Sequence, residues 1–200
     1  MRMIMIAAAI VGATAATSAH AETYGKLFGG AVYGSDHDIV AVIPGVGTGA
    51  GEIDTDTGFI VGGAYGFNAS KFLSFEGELA YRSNNVDSGV VNGVTFDGDG
   101  DLNSLSLMAN AILSAPSGSG FTPYAGVGAG GARIGGSGDH DTVFAYQAFG
   151  GVNKALNERT SAGLEYRYFD AGRATLADAG ATLVTEYDSH SLNLVLTRKF

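Results

Sequence analysis

The sequence predicts an all-β fold: an eight-stranded antiparallel transmembrane up-and-down β-barrel with short periplasmic turns and long extracellular loops. Three observations lead there. Apolar and polar residues alternate with a period of two over eight separate runs, the mark of strands whose two faces meet different environments. The connections between the runs alternate short and long, as they do when successive strands cross a membrane in opposite directions. The chain has no cysteine, so disulfides do not hold it together, and a closed sheet pairs every backbone group without them.

The N-terminus stands apart from this pattern. Met1-Arg2 supplies one positive charge. A short apolar run follows from Met3 to Val11 and fades into small residues that end at Ala19-His20-Ala21. A basic start, a short apolar segment and an A-x-A site describe a secretory signal peptide. The run is too short and alanine-rich for a membrane-spanning helix, which takes about 20 strongly apolar residues. Residues 1–21 are therefore expected to be a cleaved signal peptide, with Ala19 and Ala21 marking the cleavage site. Residues 22–200 are expected to form one barrel domain. With 32 glycines but 46% hydrophobic residues and only 3 prolines, they are too apolar for a disordered chain.

The first run, Tyr24–Gly34, sets Leu27, Gly29, Ala31 and Tyr33 against Lys26, Phe28 and Gly30. The second, Thr57–Phe67, is blurred by glycine. The third, Phe72–Arg82, is the clearest: Leu73, Phe75, Gly77, Leu79 and Tyr81 oppose Ser74, Glu76, Glu78, Ala80 and Arg82. In the fourth, Leu102–Leu113, Leu105, Leu107, Ala109 and Ala111 oppose Ser104, Ser106, Met108 and Asn110. The fifth, Thr122–Arg133, is glycine-rich. The sixth, Val143–Asn153, sets Phe144, Tyr146, Ala148 and Val152 against Gln147 and Asn153. The seventh, Ser161–Phe169, sets Leu164, Tyr166 and Tyr168 against Glu165 and Arg167. The eighth, His190–Phe200, sets Leu192, Leu194 and Leu196 against Ser191, Asn193 and Thr197. Each run is close to the 9–11 residues a tilted strand needs to cross a bilayer, and the count is even.

Residues 68–71, 114–120 and 154–158 are expected to be short turns. The segments 35–56, 83–101, 134–142 and 170–188 are expected to be the long loops. Those four segments hold 15 of the chain's 20 acidic residues against one base, Arg173. The opposite end carries Lys71, Lys154, Arg159, Arg198 and Lys199. One end of the molecule is thus strongly negative, which makes divalent cations candidate partners of the acidic loops. There is no basic stripe, and the net charge is −9, so nucleic acid is not an expected partner.

The charged residues on inward faces form the main candidate site. Glu76, Glu78, Glu165 and Arg167 fall at one level, with Lys26 lower and Arg82 higher. An eight-stranded barrel is filled by its side chains, and buried charges must pair. The expected arrangement is an ion-pair network of Lys26, Glu76, Glu78, Arg82, Glu165 and Arg167 that plugs the lumen. The alternative is a narrow ion path.

The chain resembles the opacity-type, OmpX/OmpA-like small outer-membrane β-barrel proteins, often grouped as the porin family. Four segments carry the resemblance: Tyr24-Gly25-Lys26-Leu27-Phe28-Gly29-Gly30, the run from Thr122 to Gly130, the run from Phe144 to Val152, and the ending from Ser189 to Phe200. The resemblance implies location in the outer membrane, with lipid and lipopolysaccharide around the barrel. It implies that Phe200 is the terminal aromatic read by the barrel-assembly machinery. It implies no cofactor. Tryptophan is absent, so an aromatic girdle must come from Tyr and Phe.

Three further motifs are weaker. Asp97-Gly98-Asp99-Gly100-Asp101 opens like a calcium loop, but Leu102 and Met108 stand where the pattern needs Gly and Glu. No metal site is assigned there. His190 between Ser189 and Ser191 invites comparison with lipid A-modifying barrel enzymes, yet alternation sends Ser191 to the face opposite His190. No catalytic residue is assigned, and the chain is not expected to be an enzyme. Gly126–Gly131 has no following helix to cradle a phosphate and is expected to make room for bulky lumen neighbours. The expected role is structural or surface-interacting. A small-solute porin is the alternative, and a lipid A-modifying enzyme a third.

Overall fold

A computed structural model describes residues 22–34, 37–43, 47–55, 57–91, 94–117, 119–135, 140–178 and 181–200. Among these residues ten strands are formed: β1 Thr23–Gly34, β2 His37–Ile43, β3 Gly47–Thr55, β4 Gly58–Asn68, β5 Leu73–Val91, β6 Val94–Ser114, β7 Phe121–Gly135, β8 His140–Ala155, β9 Thr160–Asp178 and β10 Ala181–Lys199. Eight of them, β1 and β4 to β10, pair antiparallel with their neighbours in chain order. The sheet closes where β1 meets β10, in register from Tyr24↔Lys199 to Gly34↔Ser189. Each of the eight expected runs coincides with one of these strands, with only Thr57, Phe72 and Phe200 falling one residue outside.

The barrel is inside-out relative to a water-soluble protein. Leu79 is 54% exposed and Leu194 is 71% exposed, whereas Glu78 is fully buried. In a bilayer those exposed side chains meet hydrocarbon, so each is removed from water at about 25 cal/mol per Å². The polar and charged residues of the same strands face the lumen. Alternation therefore separates lipid-facing from lumen-facing residues along each strand.

The short turns are where the sequence places them. Ser70 Oγ accepts from the backbone N–H groups of Phe72 and Leu73, and Asn157 Oδ1 accepts from those of Arg159 and Thr160. These side chains satisfy backbone donors that the ladder leaves over. Gly120, at φ 78°, occupies a backbone region that suits glycine just before β7.

The long loops differ from expectation. Much of what the sequence suggests as loop is strand. β5 and β6 continue their ladder out to Val91↔Val94, and β9 and β10 continue to Ala181↔Asp178. Within the expected first loop, β2 and β3 form a hairpin. β2 then pairs with β10 at Ile39 to Val42, and β3 pairs with β5 at Gly51 to Thr55. The hairpin thus takes the places of β1 and β4 above their outer ends. The reason it escapes the pattern is physical. β2 is apolar without a break from Ile39 to Ile43 and β3 is rich in glycine, so neither shows a period of two.

The result is a wall of six strands, in the order β6-β5-β3-β2-β10-β9, standing above the barrel. The hairpin β7–β8 does not join it. Pairing of β6 with β7 ends at Asn103↔Gly135, and pairing of β8 with β9 ends at Ala145↔Ala171.

Candidate functional site

The lumen is built in tiers. At the periplasmic end is a vestibule of about 780 Å³, with Lys71, Arg159 and Lys199 around its mouth and Tyr24, Lys26, Glu76 and Tyr124 at its roof. Above the roof the lumen is filled. Lys26, Glu76, Glu78, Arg82, Glu165 and Arg167 are each at most 5% exposed.

Five of these six charges form one network. Lys26 Nζ lies 3.5 Å from Glu76 Oε2 and 3.0 Å from Glu165 Oε2. Arg167 Nη2 lies 2.7 Å from Glu165 Oε1, while its Nη1 pairs with Glu78 Oε1. Uncharged groups complete the set. Tyr24 Oη donates to Glu76 Oε1 at 2.8 Å, and Tyr124 Oη donates to Glu165 Oε2 at 3.0 Å. Asn110 Nδ2 donates to Glu78 Oε2 at 3.0 Å. Gln147 Nε2 donates to Glu78 Oε1 at 3.1 Å and to Asn110 Oδ1 at 2.8 Å. All six carboxylate oxygens are engaged, which is the condition under which buried ion pairs are tolerated.

Aromatic rings brace the cations. Arg167 Cζ lies 4.5 Å from the Phe28 ring centroid and 4.9 Å from that of Phe149. Lys26 Nζ lies 5.0 Å from the Phe149 centroid. Space for the Phe149 ring comes from Gly126, where an added Cβ would fall 2.5 Å from its Cζ.

Arg82 is the exception among the six. It stands one tier higher, donates from Nη1 to Ser106 Oγ at 2.8 Å, and lies with Cζ 3.8 Å over the Phe169 ring. Among the described residues it makes no ion pair.

Alternation assigns Asn110 and Gln147 to the lumen, but sequence reasoning does not join them to the charges. It also misses Tyr24, Tyr124, Phe28 and Phe149. Phe28 carries a partial signal, since it shares a face with Lys26. The aromatic members escape because an apolar ring on an inward face looks like an exception to the pattern until its cation is known.

Other candidate residues are dispersed. His190 faces outward, with Nδ1 2.6 Å from Tyr166 Oη, and its ring lies beside those of Tyr166 and Tyr168. Ser189 and Ser191 are buried on the lumen side, so the sheet separates them from the imidazole. Phe200 is exposed, stacks against Tyr65 with centroids 6.5 Å apart, and donates its backbone N–H to Thr23 O at 3.0 Å. Asp97, Asp99 and Asp101 lie on β6, with their side chains outside the described set. Ala19 and Ala21 also lie outside the described residues. Among the described residues no group of three or more His, Asp or Glu is placed to hold a metal ion.

A closed barrel with an apolar outer belt and a lumen filled by paired charges defines a transmembrane β-barrel. The family described as the outer membrane protein beta-barrel domain matches residues 5–200, and the chain belongs to that family. It is an outer-membrane barrel. No curated protein matches the chain.

Among solved structures, OprG from Pseudomonas aeruginosa is similar at 13% identity and a TM-score of 0.69, covering 90% of this chain and 97% of that one. Neisserial surface protein A is similar at 19% identity and a TM-score of 0.58, covering 89% and 97%. The outer membrane protease OmpT from Escherichia coli is similar at 9% identity and a TM-score of 0.55, covering 93% and 99%. These likenesses concern the fold, which hosts more than one kind of protein.

Proposed function

We propose that this protein is a structural or surface-interacting component of the outer membrane, not a conduit through it. The observation that supports this reading most is the fully engaged charge network above the vestibule. A path for ions would have to break contacts among Lys26, Glu76, Glu78, Glu165 and Arg167, whose side chains are at most 4% exposed. The six-strand wall gives the outer end a broad surface above the lipid. Outer-membrane lipid and lipopolysaccharide are its immediate neighbours, and divalent cations are partners for its acidic rim.

Conductance across a planar bilayer tests the plugged lumen. The expected record is flat. Steady, ion-selective openings would favour the second reading, a small-solute pore, for which the vestibule is the specific support. Export relies on removal of residues 1–21. Sequencing the N-terminus of the mature protein is expected to begin at Glu22. The barrel-assembly machinery is the proposed reader of Phe200.

A further inference from the structure

The apolar belt is not uniform. Across β4, β1, β10, β9 and β8, in the periplasmic half of the wall, lies a shallow open trough of about 770 Å³. Gly29 and Ala162 form its floor, because neither puts more than a methyl on that face. Leu27, Leu164, Leu194 and Leu196 stand around them, each at least 47% exposed. Strand register fixes the arrangement. Gly29 has Val61 on one side and Leu194 on the other, and Leu194 and Leu196 meet Leu164 and Ala162 on β9. Of the residues that line the trough, only Lys154 is polar.

Lys154 sits at the foot of the trough, with Nζ 5.4 Å from the Phe121 ring centroid. Arg198 faces outward on the same wall, continuing the face of exposed Leu194 and Leu196, while Val195 between them is buried. Only β9 separates the two cations. Lys154 pairs with Ala162 and Arg198 with Thr160. Ordinary strand spacing and rise put their backbones about 12 Å apart, so both long side chains can reach one group set between them. Among the described residues neither cation has a carboxylate partner. Elsewhere around this end the outward positions carry uncharged side chains such as Tyr65, Phe75 and Leu113.

Hydrocarbon alone would cover an apolar trough, but it gives no reason for two unpaired cations at its foot. A second copy of this chain seated face to face would set those like charges against each other. The occupant that fits is oily at one end and anionic at the other, and the leaflet facing the periplasm consists of glycerophospholipids. Lysine and arginine at headgroup level attract anionic lipids. We propose that the trough, with Lys154 and Arg198, is a binding site for one anionic glycerophospholipid of the periplasmic leaflet. One acyl chain lies over Gly29 and Ala162, and the phosphate is held between the two cations. The site rests on the barrel's place in the outer membrane and holds whether the lumen is plugged or conducting.

The test uses the full barrel refolded in phosphatidylcholine vesicles that carry a trace of phosphatidylglycerol with a photoreactive diazirine on one acyl chain. After irradiation the labelled peptides should be concentrated on β1, β9 and β10. Phosphatidylcholine with the same tag should label the whole belt evenly. Unlabelled phosphatidylglycerol should compete for the trough, about fivefold less well for each cation removed in Lys154→Gln and Arg198→Gln. Gly29→Leu keeps both cations and fills the trough. An added Cβ there stands 3.4 Å from its nearest neighbour, Ile60 O, so the variant should fold, and its trough labelling should fall. Heat-dependent gel mobility reports folding in each case. Should the paired Gln variant not insert, raised salt, which screens exposed charges, should spread the label on the wild type in the same way. Equal labelling patterns from the two lipids, trough labelling that survives either the Gln pair or Gly29→Leu, or cross-linked dimers in place of lipid adducts would overturn the proposal.

Discussion

Glu78 has every side-chain contact inside the lumen: Arg167, Gln147 and Asn110 all donate to it. Replacing it with leucine removes one partner of a buried guanidinium and leaves two amides short of an acceptor. Glu78→Leu is expected to cost about 3–5 kcal/mol, read as a lowered urea midpoint in phospholipid vesicles. The pair Glu76→Leu with Glu165→Leu should lower the temperature at which folded gel mobility is lost, because Lys26 then has no carboxylate. An unchanged mobility shift would mean these carboxylates carry no share of the stability. Gly126→Ala works through shape. Alanine is the better residue in most strands by about 0.5–1 kcal/mol, but here its methyl meets the Phe149 ring. Overpacking of that kind costs about 1–3 kcal/mol, so a net loss is expected in the same urea titration. What the sequence reveals at this scale is the face each residue occupies. Lys26, Glu76, Glu78, Glu165 and Arg167 are readable as inward by alternation alone. Which of them touch is set by strand tilt and side-chain reach, and period two carries neither. That is why Arg82 is readable as inward but not as separate from the carboxylates.

The elements divide into those written for lipid and those written for water. In β1 and β4 the ladder runs from Thr23↔Phe67 to Val32↔Gly58 without help from the hairpin above it. Replacing residues 36–56 by a short Asn-Gly turn is therefore expected to leave the barrel folded. The check is whether the variant keeps its heat-dependent gel shift; its loss would make β2 and β3 part of the barrel's own foundation. Membrane strands are legible because hydrocarbon on one side and a polar lumen on the other force contrast between neighbouring residues. β2, with its unbroken apolar run from Ile39 to Ile43, glycine-rich β3 and the acidic outer parts of β5, β6, β9 and β10 carry no such sustained signature in their sequence. Their pairing continues because antiparallel neighbours already aligned by the barrel go on donating and accepting backbone hydrogen bonds. Nothing in residue type needs to announce it, and the acidic stretches there look like loop.

For the whole molecule, forming the barrel and keeping it formed are separate matters. Phe200 is joined to the rest by one backbone hydrogen bond to Thr23 and a stack on Tyr65. Removing it should change the finished barrel by only about 1 kcal/mol. If it also serves as the signal for assembly, its deletion should sharply reduce the amount reaching the outer membrane in cells while refolding into vesicles proceeds almost as before. Equal losses in both settings would make Phe200 a structural residue only.

The pairing of β1 with β10 has a consequence of its own. It is a seam between strands far apart in the sequence, with the whole barrel wall rather than a connecting segment between them. The pairs from β4–β5 to β9–β10 join strands consecutive in the chain and β1–β4 closes over the β2–β3 hairpin, but this joint waits for the final strand. Until then the nascent sheet has two raw margins of unpaired amides in a solvent that offers them no water. A ribosome stalled before residue 189 would release a protein with the right side chains and no way to shut. Such a fragment should be cleared by proteases, however well its first seven crossings are made.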